Sequence, residues 1–269
     1  MLRLPAVAGQ FYPADPRELT RLVRKFSADD PGVKKTRVRA CLVPHAGYIY
    51  SGPVAGAVYS SIKFPETFVL LGPNHTGLGP AISLMDDCQW EIPLCTFEVD
   101  KKLAAKIAMN SPHVVRDNQA HMFEHSLEVQ LPFISYFANG VRIVPISLLS
   151  ASLFDCLELA KGIAKAIKSV DYPVVIAASS DMSHYVSDKT ARQKDRLAID
   201  RMLEVDAEGL YETVMKERIS MCGVLPATVM LAAARILGAN SARLIKYATS
   251  GEVSGDYDSV VGYAGVVVR

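Results

Sequence analysis

The chain has 269 residues, half of them apolar, and its 29 basic side chains nearly balance its 28 acidic ones. This length suits one large α/β domain or two small ones, and we predict a single domain over residues 1–269 because no linker or internal repeat divides the sequence. The even charge balance gives no electrostatic reason to expect binding to nucleic acid or to an anionic membrane.

The first residues and the cysteines narrow the class of protein further. The N-terminal residues lack an apolar leader segment, and no apolar run approaches the ~18 residues of a membrane-spanning helix. We therefore expect a cytoplasmic protein. The five cysteines are odd in number and include no C-x-x-C pair, so the sequence predicts neither a disulfide framework nor a thiolate zinc finger.

Strands and helices alternate along the chain, after a capped helix start at Asp15-Pro16 and a polar loop from Ser27 to Lys35. Strands are predicted over Ala40 to Val43, Phe68 to Leu71, Val141 to Ser147, Val174 to Ala178, Ala242 to Ala248 and Val260 to Val268. The first, second and fourth of these are continuously apolar and are expected to be buried. Helices are predicted over Val54 to Ile62, Asp100 to Met109, Glu124 to Phe137, Leu153 to Ile167, Ser187 to Glu217 with a break near Val205, and Val224 to Leu237. Two short pieces, Ala81 to Met85 and Trp90 to Phe97, are expected to cover an edge. This alternation predicts a three-layer α/β/α sandwich around a mixed, largely parallel sheet.

Metal-capable side chains follow three of these strands directly. His45 comes just after the strand that Pro44 ends, and we expect the next helix to begin near Pro53, which suits a first helical position. His75 follows the second strand, and Asp181 and His184 follow the strand that begins at Val174. Because the carboxyl ends of parallel strands meet at one edge, the sequence predicts that these groups face a single crevice.

The residue types at this crevice indicate a metal site. Two or three imidazoles with a carboxylate or a thiolate are the ligands that zinc, copper or iron requires. Cys222 supplies a further candidate, since it lies at a turn just before a helix, where the amide dipoles favour a thiolate. Cys41 and Cys156 lie inside a predicted strand and a predicted helix, where packing explains them.

A competing pattern lies between these motifs. His121-Met-Phe-Glu124-His125 matches H-x-x-E-H, in which two histidines one turn apart bind zinc and the glutamate activates water. Three fixed positions in five residues are a weak signal, so a zinc peptidase is a minor alternative.

Six segments along the chain carry a family resemblance: Val7-Ala-Gly-Gln-Phe-Tyr-Pro13, Pro44-His-Ala-Gly-Tyr48, Leu71-Gly-Pro-Asn-His75, Glu124-His-Ser-Leu-Glu-Val-Gln-Leu-Pro132, Ser179-Ser-Asp-Met-Ser-His184 and Ser250-Gly-Glu-Val-Ser-Gly-Asp256. Together they resemble the Memo family, whose microbial members are also called AmmeMemoRadiSam system protein B. The resemblance implies a fold similar to that of the LigB-like, class III non-haem iron extradiol dioxygenases. It also implies a functional link to radical-SAM and AMMECR-type proteins.

What the resemblance implies for the site is a metal pocket with His45, His75 and Cys222 as ligands and with Asp181 and His184 as catalytic residues beside them. The dioxygenases hold iron(II) with two histidines and a carboxylate, and here Cys222 replaces the carboxylate. A thiolate is softer and can itself be oxidised, which makes ring cleavage doubtful. We therefore expect a single metal ion, iron or copper with zinc as a further option, and redox or oxygenase-type chemistry.

The alternative function is a binding module that keeps the pocket for a peptide or small ligand and has lost the chemistry. Tyr12 and Tyr50 lie close in sequence to the turns that form the pocket, although packing explains them about as well. His125 and Glu128 are further candidates for lining a Memo-type pocket. The sequence leaves the choice between an enzyme and a binding module open.

Overall fold

A computed structural model describes residues 1–27 and 35–269, so the loop predicted around Pro31-Gly32 lies outside the described residues. The described residues form twelve strands: β1 (Leu2–Arg3), β2 (Ala40–Val43), β3 (Thr67–Pro73), β4 (Ile82–Leu84), β5 (Gln89–Ile92), β6 (Cys95–Glu98), β7 (Val115–Arg116), β8 (Arg142–Leu148), β9 (Val174–Ser179), β10 (His184–Val186), β11 (Ala242–Thr249) and β12 (Val260–Val268). They also form ten α-helices: α1 (Pro16–Phe26), α2 (Tyr48–Ser61), α3 (Lys101–Asn110), α4 (Gln119–Met122), α5 (Leu131–Phe137), α6 (Leu153–Lys168), α7 (Asp188–Leu203), α8 (Ala207–Lys216), α9 (Val224–Ile236) and α10 (Gly251–Ser254).

Four parallel strands form the centre of the main sheet, in the order β2-β9-β3-β8. Antiparallel strands flank them, with β12 beside β2 and β4 beside β8. The central strands end almost level, since Val43 pairs with Ser179 and Leu71 pairs with Ala178. The residues that follow β2, β3 and β9 therefore emerge together at one edge of the sheet.

Helices cover both faces of this sheet, which confirms the predicted three-layer α/β/α architecture. On one face α9 packs against β2, β3 and β9 and is backed by α6 and α8. On the other face α2 packs against β11 and β12 and contacts α1 and α5. No helix in residues 1–27 or 35–269 combines the length and the apolar character that crossing a bilayer requires.

The structure corrects two predicted boundaries near the site. Helix α2 begins at Tyr48, directly after the His45 turn, so Pro53 lies inside the helix and not at its first position. The main-chain amide of Tyr48 donates to the Phe11 carbonyl at 2.8 Å, and this contact anchors the early helix start. Such anchoring depends on a residue distant in sequence, so local patterns could not reveal it.

The second correction concerns residues 124–137, which do not form one helix. A short 3₁₀ turn spans Glu128–Gln130, and α5 begins only at Leu131. The Glu124 carboxylate accepts hydrogen bonds from the amides of His125 and Ser126, at 3.0 and 2.9 Å. Side-chain bonds of this kind compete with the first turn of a helix.

The strands predicted between residues 81 and 97 do not act together at one edge. β4 joins the main sheet, whereas β5 and β6 form a separate small sheet with β1. Trp90 of β5 is fully buried, so this small sheet shares the apolar core.

The close contact between α1 and α2 gives a stability prediction. A Cβ atom on Gly56 would overlap the main-chain carbonyl of Phe26, which cannot rotate away. We expect Gly56→Ala to lower the free energy of unfolding by about 1–3 kcal/mol, because overpacking forces a backbone shift. Denaturant unfolding measures this. Arg24→Ala, at an exposed position on α1, is the control and should stay within about 0.5 kcal/mol of the wild type. Equal stability of the Gly56→Ala variant and the wild type would contradict the described packing.

Candidate metal centre

Three imidazoles meet above the carboxyl ends of the parallel strands. His45 follows β2, His75 follows β3, and His125 lies just before the 3₁₀ turn. One ring nitrogen from each lies within 4.8 Å of those from the other two. A single cation bound at ~2.1 Å to each nitrogen needs nitrogen separations of about 3.4 Å, which small side-chain rotations can reach. The donor set therefore fits one metal ion.

Hydrogen bonds assign the tautomer of His45. The Ser179 hydroxyl donates its single hydrogen to the Ser126 carbonyl at 2.7 Å, so the same oxygen can only accept from the ring of His45. His45 Nδ1 lies 2.8 Å from that oxygen and must carry the ring hydrogen. The lone pair of Nε2 is thereby left free for a cation.

Two further side chains hold the Ser179 hydroxyl in place. The Gln130 side-chain amide donates to this hydroxyl at 2.9 Å and to the Pro44 carbonyl at 3.0 Å. The Tyr59 hydroxyl donates in turn to Gln130 Oε1 at 3.0 Å. This buried chain of bonds links α2 and the 3₁₀ turn to the orientation of one imidazole.

Glu124 orients the second imidazole. Its Oε1 lies 2.9 Å from Nδ1 of His75 and 3.4 Å from Nδ1 of His125. Burial alone would raise the pKa of Glu124, but the hydrogen bonds from His75 and from nearby amides outweigh it and lower the pKa to about 2. A carboxylate bound to the outer nitrogen of a ligand histidine is the usual support of a metal-binding imidazole.

Burial keeps two of the imidazoles neutral. Removal from water, together with the neighbouring histidines, lowers the pKa of His45 well below its usual range. Burial also lowers the pKa of His125. Because only the neutral ring can bind a metal, these two side chains need lose no proton at neutral pH to act as ligands.

Cys222 lies beside this group but is not part of it. Its sulfur is 3.2 Å from Nε2 of His45, yet the donors that lie mutually within 4.8 Å are those of His45, His75 and His125. The structure thus offers His125 where the sequence predicted Cys222 as the third ligand. Since Nε2 carries the free lone pair, the thiol of Cys222 donates its hydrogen to it.

The predicted thiolate at Cys222 requires correction. Burial, and then the charge of Asp181, raise the pKa of the Cys222 thiol to about 12. The amides ahead of α9 favour the thiolate, as expected, but desolvation outweighs them. In the metal-free protein Cys222 is therefore a thiol at neutral pH.

Asp181 and His184 occupy different positions at the site. Asp181 is buried, its carboxylate accepts from the His45 amide at 2.8 Å, and burial raises its pKa to about 6. His184 is partly exposed, and its Nδ1 donates to the Ser220 carbonyl at 2.8 Å, which leaves Nε2 free to accept a proton. Asp181 supports the His45 turn directly, whereas His184 lies nearer to solvent.

Tyr12 and Glu128 were expected to line the pocket, and the structure places them in a buried ion-pair network instead. The Glu128 carboxylate pairs with the guanidinium of Arg3 and accepts from the Tyr12 hydroxyl at 2.6 Å. The side chains of Glu128 and Arg3 are fully buried. This network fixes the N-terminal segment beneath the site and presents no group to a ligand. Tyr50 is half-buried and packs against the cluster of Val54, Ala248 and Tyr263.

The structure does not bring the two histidines of the H-x-x-E-H pattern together. The His121 ring is buried, with Nε2 3.1 Å from the Ser83 hydroxyl and the ring in a T-shaped contact with Trp90. His125 instead meets His45 and His75. The helix α4 ends at Met122, so one-turn spacing along a continuous helix, which the peptidase pattern needs, is absent from this described segment.

Sequence reasoning missed the roles of Ser179, Gln130 and Glu124. Each of them belongs to one of the six family-like segments, but Ser179 and Gln130 are not usual ligand types, and Glu124 was considered only within the peptidase pattern. Ser179 ends a strand next to the predicted crevice, and that position was the one signal that could have indicated its role.

Comparisons with known proteins agree on one family. A family model described as Memo-like protein matches residues 3–267. A MEMO1 family protein of Methanopyrus kandleri is 41% identical, with 100% of this chain and 99% of that protein covered. A MEMO1 family protein of Aquifex aeolicus is 43% identical, with 99% of this chain and 98% of that protein covered.

One solved structure resembles the fold. The crystal structure of an uncharacterized Escherichia coli K12 protein, JW3007, matches with a TM-score of 0.53 at 13% identity and covers 86% of this chain and 100% of that chain. A likeness at this identity concerns the fold alone.

The buried network around Glu128 gives a prediction that distinguishes a structural role of this residue from a role in ligand binding. We expect Glu128→Gln to lower the free energy of unfolding by about 3–5 kcal/mol, because it leaves the Arg3 charge buried without its partner. The milder Tyr12→Phe variant, which removes one hydrogen bond, should cost about 1 kcal/mol. Glu98→Gln, at an exposed position, is the control. Unchanged stability in the Glu128→Gln variant, measured by denaturant unfolding, would contradict the structural role.

Proposed function

Because this chain belongs to the Memo family, we propose that it binds one iron or copper ion at the imidazole group and carries out redox or oxygenase-type chemistry there. The observation that carries this proposal is the hydrogen-bond pattern around His45, which leaves the Nε2 lone pair free in a ring whose centroid lies 5.2 Å from that of His75 and 5.5 Å from that of His125. Three imidazoles converge here, burial keeps His45 and His125 neutral, and Ser179 and Glu124 hold the Nδ1 atoms of His45 and His75. Such an arrangement suits a metal site better than the packing of an apolar core.

His45, His75 and Cys222 are the proposed ligands, with His125 as a further donor within reach. The position of Cys222 supports its role, because its thiol hydrogen points at the lone pair that a cation would use. A cation in that place would favour loss of the thiol hydrogen. Imidazoles with a thiolate suit copper, iron and zinc, and a bound iron or copper ion supplies one-electron or dioxygen chemistry.

Two residues beside the imidazole group, the buried Asp181 and the partly exposed His184, are the proposed catalytic groups. His184 holds its Nδ1 hydrogen on the Ser220 carbonyl, so its Nε2 can accept a proton from a substrate. Asp181 has a pKa of about 6, raised by burial, and can change protonation state near neutral pH. Its hydrogen bond from the His45 amide keeps it next to the ligand turn.

Metal content tests the ligand assignment. Protein purified without chelator should carry about one iron or copper ion per chain. We expect His45→Ala and His75→Ala to lose most of it, because each removes an oriented nitrogen donor. His113→Ala is the matched control, since that histidine has a half-exposed side chain and lies outside the three-imidazole group. Equal metal content in the wild type and all three variants, measured by elemental analysis, would refute the proposal.

The number of protons released on metal binding tests whether Cys222 is the third ligand. The pKa of the Cys222 thiol is raised to about 12, so this group is protonated below that pH and must lose its proton to bind a cation. His45, with its lowered pKa, is already neutral at pH 7 and releases none. If Cys222 is a ligand, metal binding at ~pH 7 releases about one proton more in the wild type than in Cys222→Ser, and the affinity rises with pH.

Calorimetric titration of metal into stripped protein in two buffers of different ionisation enthalpy measures this difference. Equal proton release in the wild type and in Cys222→Ser, with metal lost in His125→Ala, would assign the third position to His125 and contradict the role of Cys222.

A further inference from the structure

A cavity of about 850 Å³ lies at the opposite edge of the sheet from the metal centre. Its walls come from residues that precede three of the parallel strands: 37–39 before β2, 63–65 before β3 and 172–173 before β9. The amino ends of parallel strands share one edge, so this cavity and the imidazole group are separated by the length of the sheet. Its volume lies within the range of roughly 300–1,000 Å³ of small-molecule sites.

The cavity is strongly basic. Arg37, Arg39, Lys63 and Lys168 line it, and no Asp or Glu is among its lining residues, all of which belong to the described part of the chain. Within that part none of the four makes an ion pair within 4.0 Å, whereas cations such as Arg142 and Arg192 do. Arg269 also lines the cavity, but where its α-carboxylate is free, the negative charge of that group balances the positive charge of its guanidinium.

Helix ends explain only part of this charge. The carboxyl ends of α2, α6 and α9 lie at this edge, and Lys168 is the last residue of α6. Each helix end carries roughly half a negative charge, so three ends offset about 1.5 of the four positive charges. An excess of about 2.5 positive charges remains, which the helix dipoles do not account for.

An apolar wall completes the cavity. Phe64, Ile167 and Leu237 line it and are partly buried against the main core. The Phe64 ring is held by contacts with Tyr59, Phe68 and Phe137, so it offers a fixed surface. A cavity lined both by several cations and by a fixed aromatic surface suits a ligand that has a charged part and an apolar part.

We propose that this cavity binds a phosphorylated small molecule with at least two negative charges and a planar apolar part, of the nucleoside polyphosphate type. Arginine guanidinium groups bind phosphate oxygens in pairs, which favours phosphate over a single carboxylate. The excess positive charge that the helix dipoles leave in the cavity matches the negative charge of a diphosphate group. The proposal is independent of the metal centre, because no residue is shared between the two sites.

Binding of ADP, pyrophosphate and adenosine to the full-length protein, measured by isothermal titration calorimetry, tests this site. ADP should bind saturably with one molecule per chain. Pyrophosphate, which lacks the planar part, and adenosine, which lacks the charge, should each bind more weakly than ADP. The double variant Arg37→Gln/Arg39→Gln should weaken ADP binding by about tenfold or more, because each charged hydrogen bond contributes to affinity.

Two controls make the result decisive. Lys189→Gln/Lys216→Gln removes the same charge from exposed positions on α7 and α8 and should leave the affinity for ADP within about twofold. His75→Ala, which tests whether ADP binds through a metal ion, should bind ADP like the wild type. The proposal would be overturned if ADP did not bind saturably, or if both double variants weakened ADP binding equally. It would also be overturned if adenosine bound as tightly as ADP, or if His75→Ala lost ADP binding.

Discussion

The site depends on the direction of one hydroxyl hydrogen. Ser179 donates it to the Ser126 carbonyl, and every other bond at that oxygen must then be an accepted one. The His45 ring is forced to present Nδ1–H inward and the free Nε2 outward. If Ser179 instead donated that hydrogen to Nδ1 of His45, the ring hydrogen would lie on Nε2, and the metal site would lose a ligand without any change in the fold.

Burial away from water strengthens this arrangement. His45, Asp181 and Glu124 are buried, and each has its hydrogen-bonding groups paired with the main chain or with a neighbour. The same burial keeps His45 uncharged and Cys222 protonated until a cation arrives. The protein therefore keeps an oriented set of donors that needs little reorganisation on metal binding.

The sequence predicted what local patterns determine. The apolar run that Pro44 ends located the end of β2 correctly, whereas β3 continues through Gly72 and Pro73, two residues past its predicted end. The parallel arrangement brought His45, His75 and Asp181 to one edge, as predicted. Contacts between distant residues were not predictable. Glu124 belonged by spacing to a peptidase pattern, but its carboxylate binds His75, 49 residues away. Glu128 was expected in the pocket, yet it binds Arg3, 125 residues away, because a buried arginine requires a carboxylate partner.

X-ray absorption spectroscopy at the metal edge of the native protein tests the central claim most directly, because it reports the atoms bound to the ion. The account predicts at least two imidazole nitrogens at about 2.0–2.1 Å and one sulfur at about 2.3 Å. A spectrum with oxygen ligands alone and no imidazole scattering would contradict it.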